Sequence, residues 1–135
     1  MIFGAGLDLA KCSRFEKWVK TPGMLERFFN KKEIASLGEP LTPARLSAAC
    51  QRYAARFAAK EAFSKALGTG ITFDLRDIYV QNEESGKPVL ILEKTAQEAL
   101  KKACPQWESA KTFVSLTHEK EYAAAQVIIE ISPCF

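Results

Sequence analysis

The chain has 135 residues, of which 47% are apolar and 26% charged, and its net charge is +3. This composition is typical of a globular protein, and the length suits one domain over residues 1–135. A charge of +3 is too small to indicate nucleic-acid binding, and no run of about 18 apolar residues predicts a membrane span. With no leader-like N-terminus and four scattered cysteines, we expect a cytoplasmic protein with reduced thiols.

The first predicted strand covers residues 2–9, where apolar side chains alternate with glycine or a carboxylate. One face consists of Phe3, Ala5, Leu7 and Leu9, and the other of Gly4, Gly6 and Asp8. Because glycine has no side chain, the second face allows another backbone or a ligand to approach closely. The third glycine of a dinucleotide-binding GxGxxG motif is missing, which argues against that function.

Residues 11–32, here called the basic segment, contain seven Lys or Arg residues and two acids, a local charge of +5. Ser13 with Glu16 three residues later predicts a capped helix start. Two more short helices are predicted over residues 24–29 and 31–37. The charge has two interpretations, a docking surface for an acidic partner or a solvated helix face.

A long helix is predicted over residues 43–67. Thr42 and Pro43 suit its N-cap and first position, and the glycines at 68 and 70 suit its end. Within it, Glu61 shares a face with the apolar stripe that contains Tyr53 and Phe57. The carboxylate there is either half of an ordinary pair with Lys65 one turn later or part of a functional site.

The second half of the chain is predicted to be mostly strands. The expected elements are strands at 77–82 and 89–92 joined by a turn at 85–88, a helix at 93–104, and strands at 112–118 and 122–131. Together with the long helix they predict an α+β fold, in which an antiparallel sheet packs against one long helix and several short helices.

Asp8 and Glu61 are the two carboxylates in unusual settings, and they meet if the helix packs on the first strand. Two adjacent carboxylates repel each other, so a divalent cation between them would keep both ionised. Oxygen ligands without a Cys or His cluster favour Mg²⁺, which usually also binds substrate phosphates. Candidate phosphate contacts are Arg56, Lys60, Lys65 and the backbone of residues 68–70.

His118 is the only histidine, and it ends a predicted strand beside the hydroxyl of Thr117. Taken alone, a histidine in this position is more often a structural edge residue than a catalytic one.

The motifs together resemble the bacterial holo-acyl-carrier-protein synthases, the short-form 4′-phosphopantetheinyl transferases. The matching pieces are residues 6–9, 14–15, 27–28, 56–62, 64–70, 77–78, 86–88 and 115–119. They follow the family order over nearly the whole chain, and the block around Glu61 is the most specific. Thr117 stands where the family usually has serine, and Ala5 and the tail at 132–135 are less usual.

The resemblance implies Mg²⁺-dependent transfer of 4′-phosphopantetheine from coenzyme A to a serine of apo acyl carrier protein, with adenosine 3′,5′-bisphosphate as the by-product. It implies Asp8 and Glu61 as metal ligands and, with Lys65, as catalytic residues. The implied coenzyme A contacts are Arg56, Lys65, Gly68, Gly86, Lys87, Pro88, Thr117 and His118. The implied carrier-protein contacts are Arg14, Lys17 and Arg27. It also implies a homotrimer with active sites at subunit interfaces.

Two other functions are weighed against this transferase. One is a non-catalytic module that binds coenzyme A or a nucleotide on the same fold, although such a module would not need Asp8, Glu61 and Lys65 together. The other is an interaction domain that uses the basic segment alone, for which loss of Asp8 would have no effect.

Overall fold

A computed structural model describes residues 1–133 and contains five strands and three α-helices within that range. The strands are β1 (Ile2–Lys11), β2 (Ile78–Asn82), β3 (Pro88–Leu92), β4 (Lys111–His118) and β5 (Tyr122–Glu130). The helices are α1 (Glu16–Lys20), α2 (Pro43–Leu67) and α3 (Lys94–Ala103). The α+β fold is therefore confirmed. Cys134 and Phe135, in the unusual tail, lie outside the described residues.

Helix α2 has the predicted bounds, and its ends explain why. The Thr42 side chain accepts a hydrogen bond from the Arg45 backbone N–H, and Pro43 takes the first helical position. Gly68 ends the helix in the left-handed region at φ 80°, where glycine carries no steric penalty. The small alanine side chains between these ends allow other elements to pack close to the backbone of α2.

The strands form two antiparallel sheets, one with the order β1-β5-β4 and one made of β2 and β3. In the larger sheet Gly6 pairs with Val127, and Val127 pairs with Val114. These residues belong to the inner face, which packs against α2. The opposite, outer face carries Leu7, Leu9 and Phe113, which are 65%, 66% and 45% exposed. The apolar side of the first strand therefore faces outward.

The glycine side of β1 lies directly against α2. A Cβ atom on Gly6 would stand 1.9 Å from the Ala62 carbonyl oxygen, and one on Gly4 would stand 1.9 Å from the Ala66 carbonyl oxygen. The close approach expected from the bare glycines is therefore an approach of another backbone. It places the next inward residue of the strand, Asp8, beside the last turns of α2.

The basic segment is less helical than predicted, and the prediction of a helix over 31–37 is wrong. Only Lys31–Glu33 forms a 3₁₀ turn. Side chains of α2 occupy the backbone groups that a longer helix would use, because Arg52 donates to the Glu33 carbonyl and the Ala35 N–H donates to the Tyr53 hydroxyl. Residues 24–29 likewise contain only the turn Leu25–Arg27.

The capped helix start predicted at Ser13 is also wrong. Residues Cys12–Phe15 form a 3₁₀ turn, and no side chain caps this turn or the following α1. Among residues 1–133, none of the helices is long and apolar enough to cross a membrane. Cys12, Cys50 and Cys104 are buried and free.

The contact between β1 and α2 predicts the effect of adding one methyl group to Gly6. Gly6→Ala forces the strand away from a helix carbonyl, so we expect the free energy of unfolding to fall by about 3 kcal/mol or more. Urea unfolding measures the loss. Ala48→Ser, which also adds one heavy atom but at an exposed position of α2, should cost about 0.5 kcal/mol. Equal stability of Gly6→Ala and wild type would contradict the packing described.

Candidate active site

Asp8 and Lys65 form the centre of the site between β1 and α2. Lys65 Nζ lies 3.1 Å from Asp8 Oδ1 and donates a second hydrogen bond of 3.0 Å to the Leu7 carbonyl oxygen. The Asp8 side chain is 17% exposed and that of Lys65 is 54% exposed. The cation therefore reaches the carboxylate from the solvent side and stays accessible to a ligand.

Glu61 completes this cluster one turn before Lys65 on α2. Burial raises the pKa of the Glu61 carboxyl, and the nearby negative charge of Asp8 raises the pKa further. Arg14 and Lys65 lower it, but less than burial and Asp8 raise it. Glu61 therefore lies close enough to Asp8 for the two carboxylates to repel each other, as the sequence predicted.

Lys65 does not form an ion pair with Glu61, so the interpretation of Glu61 as half of an ordinary helix pair is not supported. Its ion-pair partner is Asp8, more than fifty residues away in the sequence. Glu61 is left half-buried beside another carboxylate, which is an unfavourable place for a negative charge. The site therefore has two carboxylates and, in Lys65, one ion-paired cation.

The donor set fits a hard divalent cation such as Mg²⁺. Asp8 and Glu61 offer carboxylate oxygens, and their repulsion is relieved when a cation lies between them. Residues 1–133 contain no group of three or more His, Cys, Asp or Glu side chains placed to hold a metal. Two protein ligands, with water and substrate phosphate completing the shell, is the arrangement Mg²⁺ usually takes.

Lys60 is not a phosphate contact, and that prediction is wrong. Its side chain is fully buried, and its ammonium lies 2.6 Å from Glu33 Oε1. It also donates to the backbone carbonyls of Leu75 and Ile78. Successive residues of a helix point in directions about 100° apart. Lys60 therefore points away from the side of Glu61, and its side chain lies in the interior.

The coenzyme A contacts implied by the resemblance do not gather around Asp8 within one chain. Arg56 lies on the side of α2 opposite Lys65, near Glu33 and Arg52. Burial lowers the pKa of the Arg56 guanidinium, and the charge of Arg52 lowers it further. These residues are thus separate from the carboxylate cluster.

The other implied contacts are similarly dispersed. His118 lies on the inner face of the sheet, with its Nδ1 2.9 Å from the Gln51 side-chain oxygen. Thr117 pairs with Ala124, which pairs with Leu9, so it belongs to the outer face. Gly86 has φ 88° in the turn between β2 and β3, and Lys87 and Pro88 follow it. Gly68 lies at the end of α2, three residues beyond Lys65.

The basic segment reaches the site through Arg14. The guanidinium carbon of Arg14 lies 4.9 Å from the centre of the Phe57 ring, one helical turn before Glu61. Lys17 and Arg27 are exposed and point to solvent from the same segment. Of the three predicted carrier-protein contacts, Arg14 is thus the one placed beside the carboxylates.

Two features of this region were missed from the sequence. One is the buried ion pair between Glu33 and Lys60. These residues are 27 positions apart, so local sequence spacing does not predict that they pair. The other is the closeness of Arg14 to Glu61. Phe57, one turn before Glu61 and in contact with Arg14, could have indicated it.

Comparison with known proteins gives consistent results. The family model of the 4′-phosphopantetheinyl transferase superfamily matches residues 4–127. A holo-[acyl-carrier-protein] synthase of Treponema denticola is 47% identical over 131 residues, covering 96% of this chain and 99% of that protein. The synthase of Bacillus subtilis is 40% identical and covers 96% of this chain and 97% of that protein.

Solved structures agree with these relatives. The holo-(acyl-carrier-protein) synthase of Bacillus anthracis in complex with CoA (3′,5′-ADP) matches with a TM-score of 0.73 and 36% identity, covering 98% of this chain and 99% of that chain. The acyl carrier protein synthase of Plasmodium yoelii with ADP bound matches with a TM-score of 0.79 and 28% identity, covering 98% of both chains.

The raised pKa of Glu61 predicts how pH affects the metal-free protein. The folded state holds a proton on this carboxyl above its ordinary value of 4.5, so the group destabilises the fold as pH rises from 4.5 through the raised pKa. Glu61→Gln removes this effect and should raise the unfolding midpoint in urea at pH 7 but not at pH 4. The measurement uses a chelator and one protein concentration.

The control for this experiment is Glu98→Gln, at a carboxylate on α3 whose side chain is 74% exposed. It should shift neither midpoint measurably. A Glu61→Gln protein that is no more stable than wild type at pH 7 would show that the Glu61 carboxyl is not under electrostatic stress.

Proposed function

The chain belongs to the 4′-phosphopantetheinyl transferase superfamily, among the holo-[acyl-carrier-protein] synthases, and we propose that it transfers 4′-phosphopantetheine from coenzyme A to a serine of apo acyl carrier protein. The observation that carries this proposal is the cluster of Asp8, Glu61 and Lys65 in a chain whose relatives bear that name. The transfer would release adenosine 3′,5′-bisphosphate. Coenzyme A and a carrier protein as partners suit the proposed cytoplasmic location.

In the proposed reaction the serine oxygen forms a bond to the β-phosphorus of coenzyme A, and the bond to the bridging oxygen breaks. The electron pair leaves with that oxygen on the nucleotide, while the carboxylates of the site are the available acceptors for the serine proton. Asp8 and Glu61 would hold Mg²⁺, which stabilises negative charge on phosphate oxygens. Lys65, accessible beside Asp8, would bind an oxygen of the leaving phosphate.

The nucleotide end of coenzyme A would be held by residues remote from this cluster. Arg56 and His118 are the proposed polar contacts, with Thr117 and the backbone at Gly68. The turn at Gly86, Lys87 and Pro88 would line the adenine side. Because these groups are dispersed over one chain, the proposal requires coenzyme A to lie where two chains meet.

The outer face of the larger sheet supports self-association as a homotrimer with active sites at subunit interfaces. Leu7 and Leu9 on β1 and Phe113 on β4 are largely exposed there. Neighbouring exposed apolar side chains on one sheet face are typical of an interface. Covering them with other copies would remove their apolar surface from water.

The acyl carrier protein would dock on the basic segment. Arg14 and Lys17, with Arg27 further on, offer positive charge close to the catalytic cluster. An acidic partner would be attracted over a distance and oriented by such a surface. This use of the charge is favoured over a solvated face because Arg14 lies beside the cluster that the carrier serine must reach.

Transfer is tested by mixing the protein with coenzyme A, Mg²⁺ and apo carrier, and then weighing the carrier by mass spectrometry. We expect a gain of one phosphopantetheine group. Asp8→Ala should lower the rate at least a hundredfold, since the loss of a metal ligand removes several kcal/mol of charge stabilisation. Glu98→Ala, at an exposed carboxylate on α3, should be fully active.

Other outcomes would support the other functions. Tight coenzyme A binding with Mg²⁺ but no mass gain on a competent carrier would indicate a non-catalytic binding module. Carrier binding without coenzyme A binding, unchanged by Asp8→Ala, would indicate an interaction domain.

Self-association is tested by placing a charge on the outer face. Wild type should have three times the mass of one chain by light scattering after size exclusion, and Phe113→Glu should be monomeric because a carboxylate would be buried in the interface. Ile71→Glu, which changes an exposed apolar residue outside the sheet, should remain trimeric. A wild-type monomer at micromolar concentration would refute the trimer.

A further inference from the structure

We propose that the buried ion pair between Lys60 and Glu33 is a positioning device, which holds the basic segment at a fixed place relative to Asp8 and Glu61. It would thereby determine where the carrier serine arrives. The inference rests on the proposed function, because it concerns delivery of the carrier protein to the site.

Lys60 joins three separate parts of the chain. Its ammonium donates to Glu33 Oε1 at 2.6 Å, to the Leu75 carbonyl at 2.9 Å, and to the Ile78 carbonyl. It also lies 5.2 Å from the centre of the Phe29 ring. All three donors of one side chain are thus used to connect α2 with the end of the basic segment and with the start of β2.

Glu33 ties the last turn of the basic segment to this lysine. Its carboxylate accepts the backbone N–H of Asn30, and the Asn30 side chain in turn caps the same turn. The carbonyl of Glu33 accepts a hydrogen bond from Arg52 on α2. The segment that carries Arg27 is therefore fastened to α2 at its C-terminal end through one residue.

The catalytic cluster is positioned by a different contact, on another side of the same helix. Gly4 and Gly6 hold β1 against the carbonyls of Ala62 and Ala66, and this places Asp8 beside Glu61. Lys60 takes no part in that contact. Loss of the Lys60–Glu33 pair should therefore move the docking surface while Asp8, Glu61 and Lys65 stay in place.

The pair adds little net stability. The free energy lost by removing both charges from water offsets much of their attraction, and apolar replacements of similar size are often neutral or stabilising. Here Glu33 Oε2 is also buried without a hydrogen-bond partner. Unlike apolar side chains, the pair makes directional hydrogen bonds, and these fix one arrangement of three segments.

The test replaces both partners together, in Glu33→Leu/Lys60→Met, so that no unpaired charge is left. We expect a folded protein whose kcat at saturating coenzyme A, Mg²⁺ and carrier is within twofold of wild type. Its kcat/KM for the carrier should fall tenfold or more, mainly through KM. Arg27→Ala, which weakens docking directly, should show the same separation of effects.

The matched control is Glu98→Leu/Lys101→Met, which removes an exposed ion pair of α3 by the same substitutions. It should leave every parameter unchanged. A folded Glu33→Leu/Lys60→Met protein with wild-type kcat/KM for the carrier would overturn the proposal, as would a loss of kcat as large as the loss of kcat/KM.

If the double variant does not fold, Glu33→Gln decides, because it keeps the shape and one acceptor for Lys60 while removing the charge. A carrier KM raised at least threefold with unchanged kcat at saturating coenzyme A supports positioning, and an unchanged carrier KM refutes it. Wild type that transfers nothing to a competent carrier refutes the proposed function and the inference with it. Transfer by wild type with an unaffected double variant refutes the inference alone.

Discussion

The site depends on the contact between two backbones, that of β1 at Gly4 and Gly6 and that of α2 at Ala62 and Ala66. A side chain at either glycine would overlap a helix carbonyl, so the strand can approach the helix only where it is bare. That approach determines what the next inward residue meets. Asp8 lies beside Glu61 and Lys65 because the two positions before it on this face have no side chain.

The same contact imposes an electrostatic penalty. Asp8 gains a cation from Lys65, while Glu61 is left half-buried beside a second carboxylate and its pKa rises. Two carboxylates so close together are unfavourable for stability alone. Carboxylates perturbed in this way are a feature of functional sites.

The sequence predicted those parts of the molecule that depend on local chemistry. Thr42, Pro43 and Gly68 define α2, and the turn at Gly86 defines the hairpin of β2 and β3. The closeness of Asp8 and Glu61 was also predictable, because Gly4 and Gly6 indicated that another segment packs closely against β1. The helix over 31–37 was wrong since Arg52 and Tyr53, far along the chain, take its backbone groups. The partner of Lys60 could not be foreseen, because Glu33 lies beside it only through tertiary packing.

Helix α2 therefore has two sides with separate tasks. One packs against the glycines of β1 and brings Glu61 and Lys65 to Asp8. The other holds Lys60 in the interior, where it bonds to Glu33 and to the backbone at the start of β2. Arg56 lies one turn before Lys60 on this second side, opposite Lys65. A ligand that contacted Arg56 and Lys65 of one chain would have to pass around the helix, through the packed core. The proposal that coenzyme A binds where two chains meet avoids this obstacle.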